Sequence, residues 1–173
     1  MNASLHHTPH ILSVSLLCGL LLIITACTST STLDPAARLR KGFVLYQSEN
    51  YDEAKPLLEE AAQAGDVRAQ YYLGQLYFFG KGVSRSYRQA FAWFSQAAEQ
   101  QHGQAQVAVA YLYWRGYGVD RDRVEACKWL LLAERNHVPG ASDKLRIVKT
   151  TMNAKQKEAA QRRADAWQPG GSK

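Results

Sequence analysis

The chain has 173 residues, which gives it room for about one domain with a hydrophobic core. Its formal net charge of +6 is unevenly distributed: residues 28–140 carry 13 Lys/Arg and 12 Asp/Glu, whereas residues 141–173 carry 8 and 3. The basic C-terminal region has no interleaved aromatic residues and no nucleic-acid recognition motif, which argues against a nucleic-acid partner. We interpret it as a solvated helix face, and docking of this tail on an anionic lipid or polymer is the alternative.

The N-terminal segment has the pattern of a bacterial signal peptide. No Asp, Glu, Lys or Arg occurs before Asp34, and residues 11–24 form a largely apolar run. This run is shorter than the roughly 18 to 20 residues that a membrane-spanning helix requires. Residues 1–10 depart from the usual pattern, because they contain histidines but no Lys or Arg.

The apolar run ends in Ile24-Thr25-Ala26-Cys27, which resembles the lipobox of bacterial lipoproteins. The resemblance implies that residues 1–26 are a cleaved signal peptide and that Cys27 carries the acyl chains, palmitate among them, that anchor the protein in a lipid bilayer. Residues 27–33 are then the lipidated cysteine and a polar tether. Because Thr28 is not the aspartate that retains such proteins at an inner membrane, we expect outer-membrane attachment facing the periplasm. The alternative is an uncleaved apolar anchor in which Cys27 is buried.

The body of the chain repeats itself with a period of 36 residues. Residues 69–83 align with residues 105–119, and Trp93 then falls on Trp129. An internal period of this length indicates stacked supersecondary units. The spacing of apolar residues predicts two helices in each unit, and the paired glycines of residues 80–83 and 116–119 predict the turn between them.

Capping patterns mark three helix starts: Asp34 before Pro35, Asp122 with Glu125, and Asn153 with Gln156. The first unit differs from the others in length. Gly42 lies 32 residues before Gly74, whereas Ala54 lies 36 residues before Ala90. The turn of the first unit is therefore predicted to be four residues shorter.

The pattern Ala-Gln-x-x-Leu-Gly-x-Leu-Tyr-x-x-Gly-x-Gly-Val, followed by a helix with apolar positions from residue 87 to residue 98, resembles the Sel-one-like repeat, a relative of the tetratricopeptide repeat. In the second copy Ala110 replaces the expected glycine. The resemblance implies an all-α fold, a short α-solenoid of helix-turn-helix repeats. Its parts are a tetratricopeptide-like repeat (34–66), two Sel-one-like repeats (67–102 and 103–140), C-terminal capping helices (141–168) and a tail (169–173).

Candidate residues for catalysis or metal binding are few. Cys127 is the one cysteine after Cys27, and its place on an apolar helix stripe predicts burial. His102 and His137 fall in corresponding inter-repeat turns and lack ligand partners, so we expect no metal and no cofactor. Cysteine-rich members of the family carry paired cysteines, and some are reported to bind or hydrolyse β-lactams, but this chain lacks those pairs. We therefore predict a protein that is not an enzyme, with a cell-wall or β-lactam-acting hydrolase as the alternative.

The predicted function is a membrane-tethered protein–protein interaction adaptor of the bacterial envelope that binds a peptide or helix of another protein. Tetratricopeptide groove positions, mapped onto the chain, select Phe43, Tyr46, Arg68, Tyr71, Gln75, Phe78, Gln104, Val107, Tyr111 and Trp114. These residues suit either binding hot spots or packing between repeats. If they bind, replacing Tyr111 or Gln75 by Ala weakens capture of the partner with little change in thermal stability.

Overall fold

The computed structural model describes residues 34–170, which form eight α-helices and no strand. The helices are α1 (Pro35–Gln47), α2 (Tyr51–Gln63), α3 (Val67–Phe79), α4 (Tyr87–Glu99), α5 (Gly103–Arg115), α6 (Arg123–Arg135), α7 (Ala141–Thr150) and α8 (Ala154–Asp165). The predicted all-α solenoid is confirmed. The predicted signal peptide (1–26) and the segment 27–33 with its lipid-bearing cysteine lie outside the described residues.

Consecutive helices pack against each other from α1 to α7. The chain therefore forms three helix-turn-helix units whose two helices pack as a pair, and a fourth whose helices α7 and α8 both pack mainly on α6, which is the stacked arrangement of a solenoid. At its C-terminal end α6 contacts both α7 and α8. The core contains many alanines that are fully buried, and these small side chains let neighbouring helices approach closely. No helix of residues 34–170 has both the length and the apolar character that crossing a membrane demands.

The 36-residue period continues into α7, beyond the repeats that the sequence pattern predicted. Three sets of equivalent positions on α3, α5 and α7 are at most 4% exposed: Ala69, Ala105 and Ala141; Leu73, Val109 and Leu145; Leu76, Leu112 and Val148. The helix α7 is thus the first helix of a fourth unit. Its partner α8 follows after three residues, as α2 follows α1, so the outer two units have the shorter turn.

The predicted turn glycines end α3 and α5. Gly80 and Gly116 both have a φ of 71°, a left-handed conformation that glycine adopts without strain. The second glycine of the turn has a packing role. A Cβ on Gly82 would lie 2.7 Å from the Cβ of Tyr51, at the start of α2, so the absent side chain lets the turn lie against the preceding unit.

The predicted caps are confirmed in part. Asn153 and Gln156 form a complete capping box, with N–H to oxygen distances of 2.9 and 3.0 Å. Asp122 accepts two backbone N–H groups of α6, but the carboxylate of Glu125 pairs with Arg163 and Lys128, and the backbone N–H of Asp122 donates to the Tyr113 carbonyl instead. Asp34 makes no side-chain capping bond, although Pro35 begins α1 as expected.

Candidate functional site

The ten predicted groove residues lie on α1, α3 and α5, the first helices of the first three units, and none of them is fully buried. Seven of the ten line two adjoining clefts: Tyr71, Gln75, Phe78, Gln104, Val107, Tyr111 and Trp114. We call the surface formed by these seven residues, together with Lys144 and Ile147, the groove. Its use as a binding site stays a prediction.

The two clefts of the groove are continuous with each other. One lies between α5 and α7 and has a volume of 210 Å³. The other lies between α3 and α5 and has a volume of 240 Å³. Val107, Tyr111 and Lys144 line both clefts, so a ligand that occupies one meets the edge of the other.

Aromatic side chains from two neighbouring repeats contact each other within the groove. The ring of Tyr111 lies 6.1 Å from the ring of Phe78, and 6.3 Å from that of Trp114. Tyr111 is 38% exposed although its neighbours hold it on two sides. Large side chains held rigidly and left accessible are the common form of binding hot spots.

One side of the groove is fixed by a hydrogen-bonded chain. The Gln75 amide donates to the Tyr71 hydroxyl at 2.9 Å and accepts from the Tyr46 hydroxyl at 2.6 Å. Burial raises the pKa of Tyr71 and raises the pKa of Tyr46 to about 12, so both hydroxyl groups stay protonated at neutral pH. Because Gln75 joins α1 to α3, we expect its replacement by Ala to lower stability as well as binding. The effect of this change on the thermal midpoint stays a prediction.

Three predicted groove residues lie apart from the clefts. Phe43 and Tyr46 of α1 pack on Tyr72, with ring centroids 5.2 and 4.6 Å apart. The guanidinium group of Arg68 lies 4.8 Å from the centre of the Phe43 ring. In the structure these three predicted groove residues contribute to packing between the first two units.

Sequence reasoning missed the residues that α7 adds to the groove. Ile147 lies 36 positions after Tyr111, so the repeat period extended by one step would have found it. Lys144, which precedes it by three positions on the same helix, lines both clefts. Phe94 of α4 also lines the cleft between α3 and α5, although its helix position predicted only core packing.

Cys127 is buried as predicted, with no exposed surface. Burial raises the pKa of its thiol, so the reactive thiolate is disfavoured. Among residues 34–170 no group of three or more His, Cys, Asp and Glu side chains is placed to hold a metal ion.

The two histidines of the body occupy different structural positions. His102 is the N-cap of α5, and its Nδ1 accepts from the backbone N–H of Ala105 at 3.2 Å. His137 has a φ of 54° and occupies the positive-φ turn position of Gln101, 36 residues earlier. The two histidines thus lie in corresponding turns between repeats, as predicted, but one position apart within the turn.

Comparison with known proteins agrees with this geometry. The family model of the Sel1 repeat matches residues 39–66, 67–102 and 103–136, which is more than half of the chain. The chain belongs to the Sel1 repeat family. The family model matches the first unit as well, which the sequence pattern alone had assigned to the tetratricopeptide type. None of the curated proteins matches the sequence closely enough to count as a relative.

Two solved structures resemble this Sel1 repeat protein. One is a protective antigen present in uropathogenic Escherichia coli strains that displays an SLR fold, with 30% identity over 78% of this chain and a TM-score of 0.72. The other is a Sel1 repeat protein from Oxalobacter formigenes, with 29% identity over 70% of this chain and a TM-score of 0.61. The matches span 30% and 52% of those chains. Sel1 repeats typically serve as scaffolds for protein–protein interaction and typically do not catalyse reactions.

Proposed function

We propose that this Sel1 repeat protein is a lipid-anchored adaptor of the bacterial envelope, held in a bilayer by acylated Cys27, and that a peptide or helix of another protein binds in its groove. The observation that carries the proposal is that two largely apolar clefts adjoin each other on the surface of the groove. A rigid aromatic surface that is open to solvent is suited to binding a partner. An outer-membrane position facing the periplasm remains part of this proposal. It rests on the resemblance of residues 24–27 to a lipobox and on Thr28, which is not the aspartate that retains such proteins at an inner membrane.

The alternative of docking through a basic tail has less support. Residues 141–165 form helices α7 and α8, and their arginines Arg146, Arg162 and Arg163 each pair with a carboxylate. These pairs engage the arginines of the two helices, whereas the lysines, Lys144 among them, form no ion pair within residues 34–170. The groove, in contrast, presents accessible apolar surface.

Site-specific photocrosslinking in intact cells tests the groove. A benzophenone amino acid at Tyr111, which lines both clefts, should give a discrete crosslinked product. The same probe at Val44 is the matched control, because Val44 is 60% exposed and lines neither cleft. Products of equal yield and size from the two positions, or no product from position 111, would contradict binding in the groove.

Metabolic labelling with palmitate tests the anchor. The Cys27→Ser variant should remain an unlabelled precursor without attachment through acyl chains, because serine cannot form the thioether. Cys127→Ser is the control, since this buried thiol is not expected to be acylated. Equal incorporation of palmitate into the Cys27→Ser variant and the wild type contradicts the anchor.

A further inference from the structure

Charge is segregated between the two kinds of helix in this solenoid. The first helices of the four units (α1, α3, α5 and α7) together carry eight Lys/Arg and one acidic residue, Asp143. The second helices (α2, α4, α6 and α8) carry nine Lys/Arg and nine Asp/Glu. The groove is built on the first helices, so it lies on the basic side of an otherwise balanced fold.

Two of these cations lie at the groove without a carboxylate partner in the described part of the chain. The ammonium group of Lys144 lies 3.4 Å from the backbone oxygen of Gly140. The guanidinium group of Arg115 donates to the Tyr117 hydroxyl at 3.3 Å and lies 5.7 Å from the Trp114 ring. Among residues 34–170 neither group is within 4.0 Å of an Asp or Glu oxygen.

Apolar surface adjoins both cations, because Lys144 lines the cleft between α5 and α7 and Arg115 lies beside Trp114, which lines the same cleft. Ile147 is 51% exposed and follows Lys144 by three positions, so the two side chains share one face of α7. The cleft that Ile147 lines with Val107 and Trp114 is almost entirely apolar. It is open enough to admit an aliphatic or aromatic side chain from a ligand.

We infer that the groove selects acidic peptide segments, in which an apolar side chain enters the cleft between α5 and α7 and flanking Asp or Glu side chains pair with Lys144 and Arg115. This inference rests on the proposed function of the groove. The apolar side chain supplies most of the affinity. The carboxylates supply specificity, because a neutral segment gains nothing from the two cations and a basic segment is repelled by them.

Selection from a random peptide library displayed as N-terminal fusions tests this specificity, with the full chain in detergent as the target. Enriched sequences should combine Asp or Glu with Leu, Ile, Phe or Trp. Enrichment of neutral or basic sequences overturns the charge inference and leaves the groove function standing. If no sequence is enriched, both the inference and the groove function are overturned.

Charge reversal then tests the residues. An enriched peptide, synthesised with a fluorophore and an amidated C-terminus so that only side-chain carboxylates are present, should bind Lys144→Glu and Arg115→Glu about tenfold more weakly than the wild type. A version of the peptide with Glu replaced by Lys should bind Lys144→Glu more tightly than it binds the wild type. Lys149→Glu is the matched control, since Lys149 lies on the same helix and lines neither cleft of the groove.

Equal affinity of the Glu-containing peptide for wild type, Lys144→Glu and Lys149→Glu overturns the inference. An equal loss of affinity in Lys144→Glu and Lys149→Glu overturns it as well, because the effect then reflects overall charge. Circular dichroism of each variant confirms that the helices are intact, so that a change in affinity reports on the groove.

Discussion

Gly74 and Phe94 form a pair of complementary size, in which the large ring fills the space beside the glycine. The next repeat contains a different complementary pair. A Cβ on Gly74 would come within 2.5 Å of the Phe94 ring. The positions 36 residues later hold Ala110 and Leu130, which line the same cleft. The smaller leucine leaves room for the methyl group of alanine, which explains why Ala110 replaces the glycine of the repeat pattern.

This pairing predicts that Gly74→Ala destabilises the protein by about 1 to 3 kcal/mol, because the new methyl group overpacks the contact with Phe94. Adding Phe94→Leu should recover part of that loss, since it recreates the Ala–Leu pair of the next repeat. Urea denaturation of the two single variants and the double variant measures the coupling. Strictly additive effects of the two changes would show that the residues do not compensate each other.

His102 predicts a dependence of stability on pH. Burial lowers the pKa of this imidazole below that of an exposed histidine, and its Nδ1 must be unprotonated to cap α5. Below about pH 6.5 the unfolded chain takes up a proton that the folded chain resists, so stability is present above that pH and is lost as the pH falls. The thermal midpoint should decrease between about pH 7.5 and pH 5.

The control for this prediction is His102→Asn, which keeps a neutral side chain that can act as an N-cap. Its thermal midpoint should decrease less over the same pH interval. If wild type and variant lose equal stability, protonation of His102 is not the cause.

At the scale of the helix, α6 differs from the others because it is buried nearly all round. Seven of its 13 residues are buried, among them Trp129, which is 5% exposed, and α5, α7 and α8 all pack against it. Trp93, the equivalent position on α4, is only partly buried. The difference arises because α8 covers α6, where the ring of Trp167 lies 6.0 Å from the ring of Trp129.

Replacing the two tryptophans by Ala is therefore expected to lower stability by unequal amounts, although the repeat pattern alone predicts equal losses. Trp129→Ala should destabilise the protein by about 3 to 5 kcal/mol, as expected for a large buried side chain. Trp93→Ala should cost clearly less, because part of its surface is in water in both states. Chemical denaturation of both variants gives the comparison, and equal costs would contradict the covering role of α8.

The sequence was sufficient to predict the helices because local signals agree with the fold. The 36-residue period, the turn glycines at residues 80 and 116, and the short first turn all have counterparts in the structure. The predicted capping role of Glu125 is not observed, because Arg163, 38 residues away, binds its carboxylate, and a contact so distant along the chain could not be predicted from local spacing. Interactions between distant helices are not encoded in local spacing.

The groove was predicted only in part, because the repeat motif identifies its residues on α3 and α5 but not those on α7. Repeat positions of α3 and α5 identified Tyr71, Phe78 and Tyr111 correctly as cleft-lining residues. The contribution of Lys144 and Ile147 was missed, because α7 follows the period in its buried positions and departs from the repeat motif elsewhere. Packing constrains the buried positions of each repeat in this chain, whereas its groove positions hold different residues from one repeat to the next, such as Tyr71, Val107 and Asp143.

At the scale of the whole molecule, α8 is what closes the C-terminal end of the stack. Ala160 and Ala164 of α8 are buried, and Arg135 of α6 donates to the backbone oxygen of Ala164 at 2.9 Å. Terminal repeats of a solenoid must cover an apolar face that would otherwise be in water. Cys127, buried on α6 in the same cluster, is a natural reporter of whether this cover is in place.

We predict that loosening α8 exposes the Cys127 thiol. In a Cys18→Ser, Cys27→Ser background, Ala160→Asp should speed the reaction of Cys127 with a maleimide by at least about tenfold, because a buried carboxylate disfavours docking of α8 on α6. Lys155→Asp is the control, since this exposed residue lies in the first turn of α8, where an acidic side chain is favourable. Equal labelling rates in both variants and the parent would mean that α8 is not what protects Cys127, and that the preceding helices close the core without it.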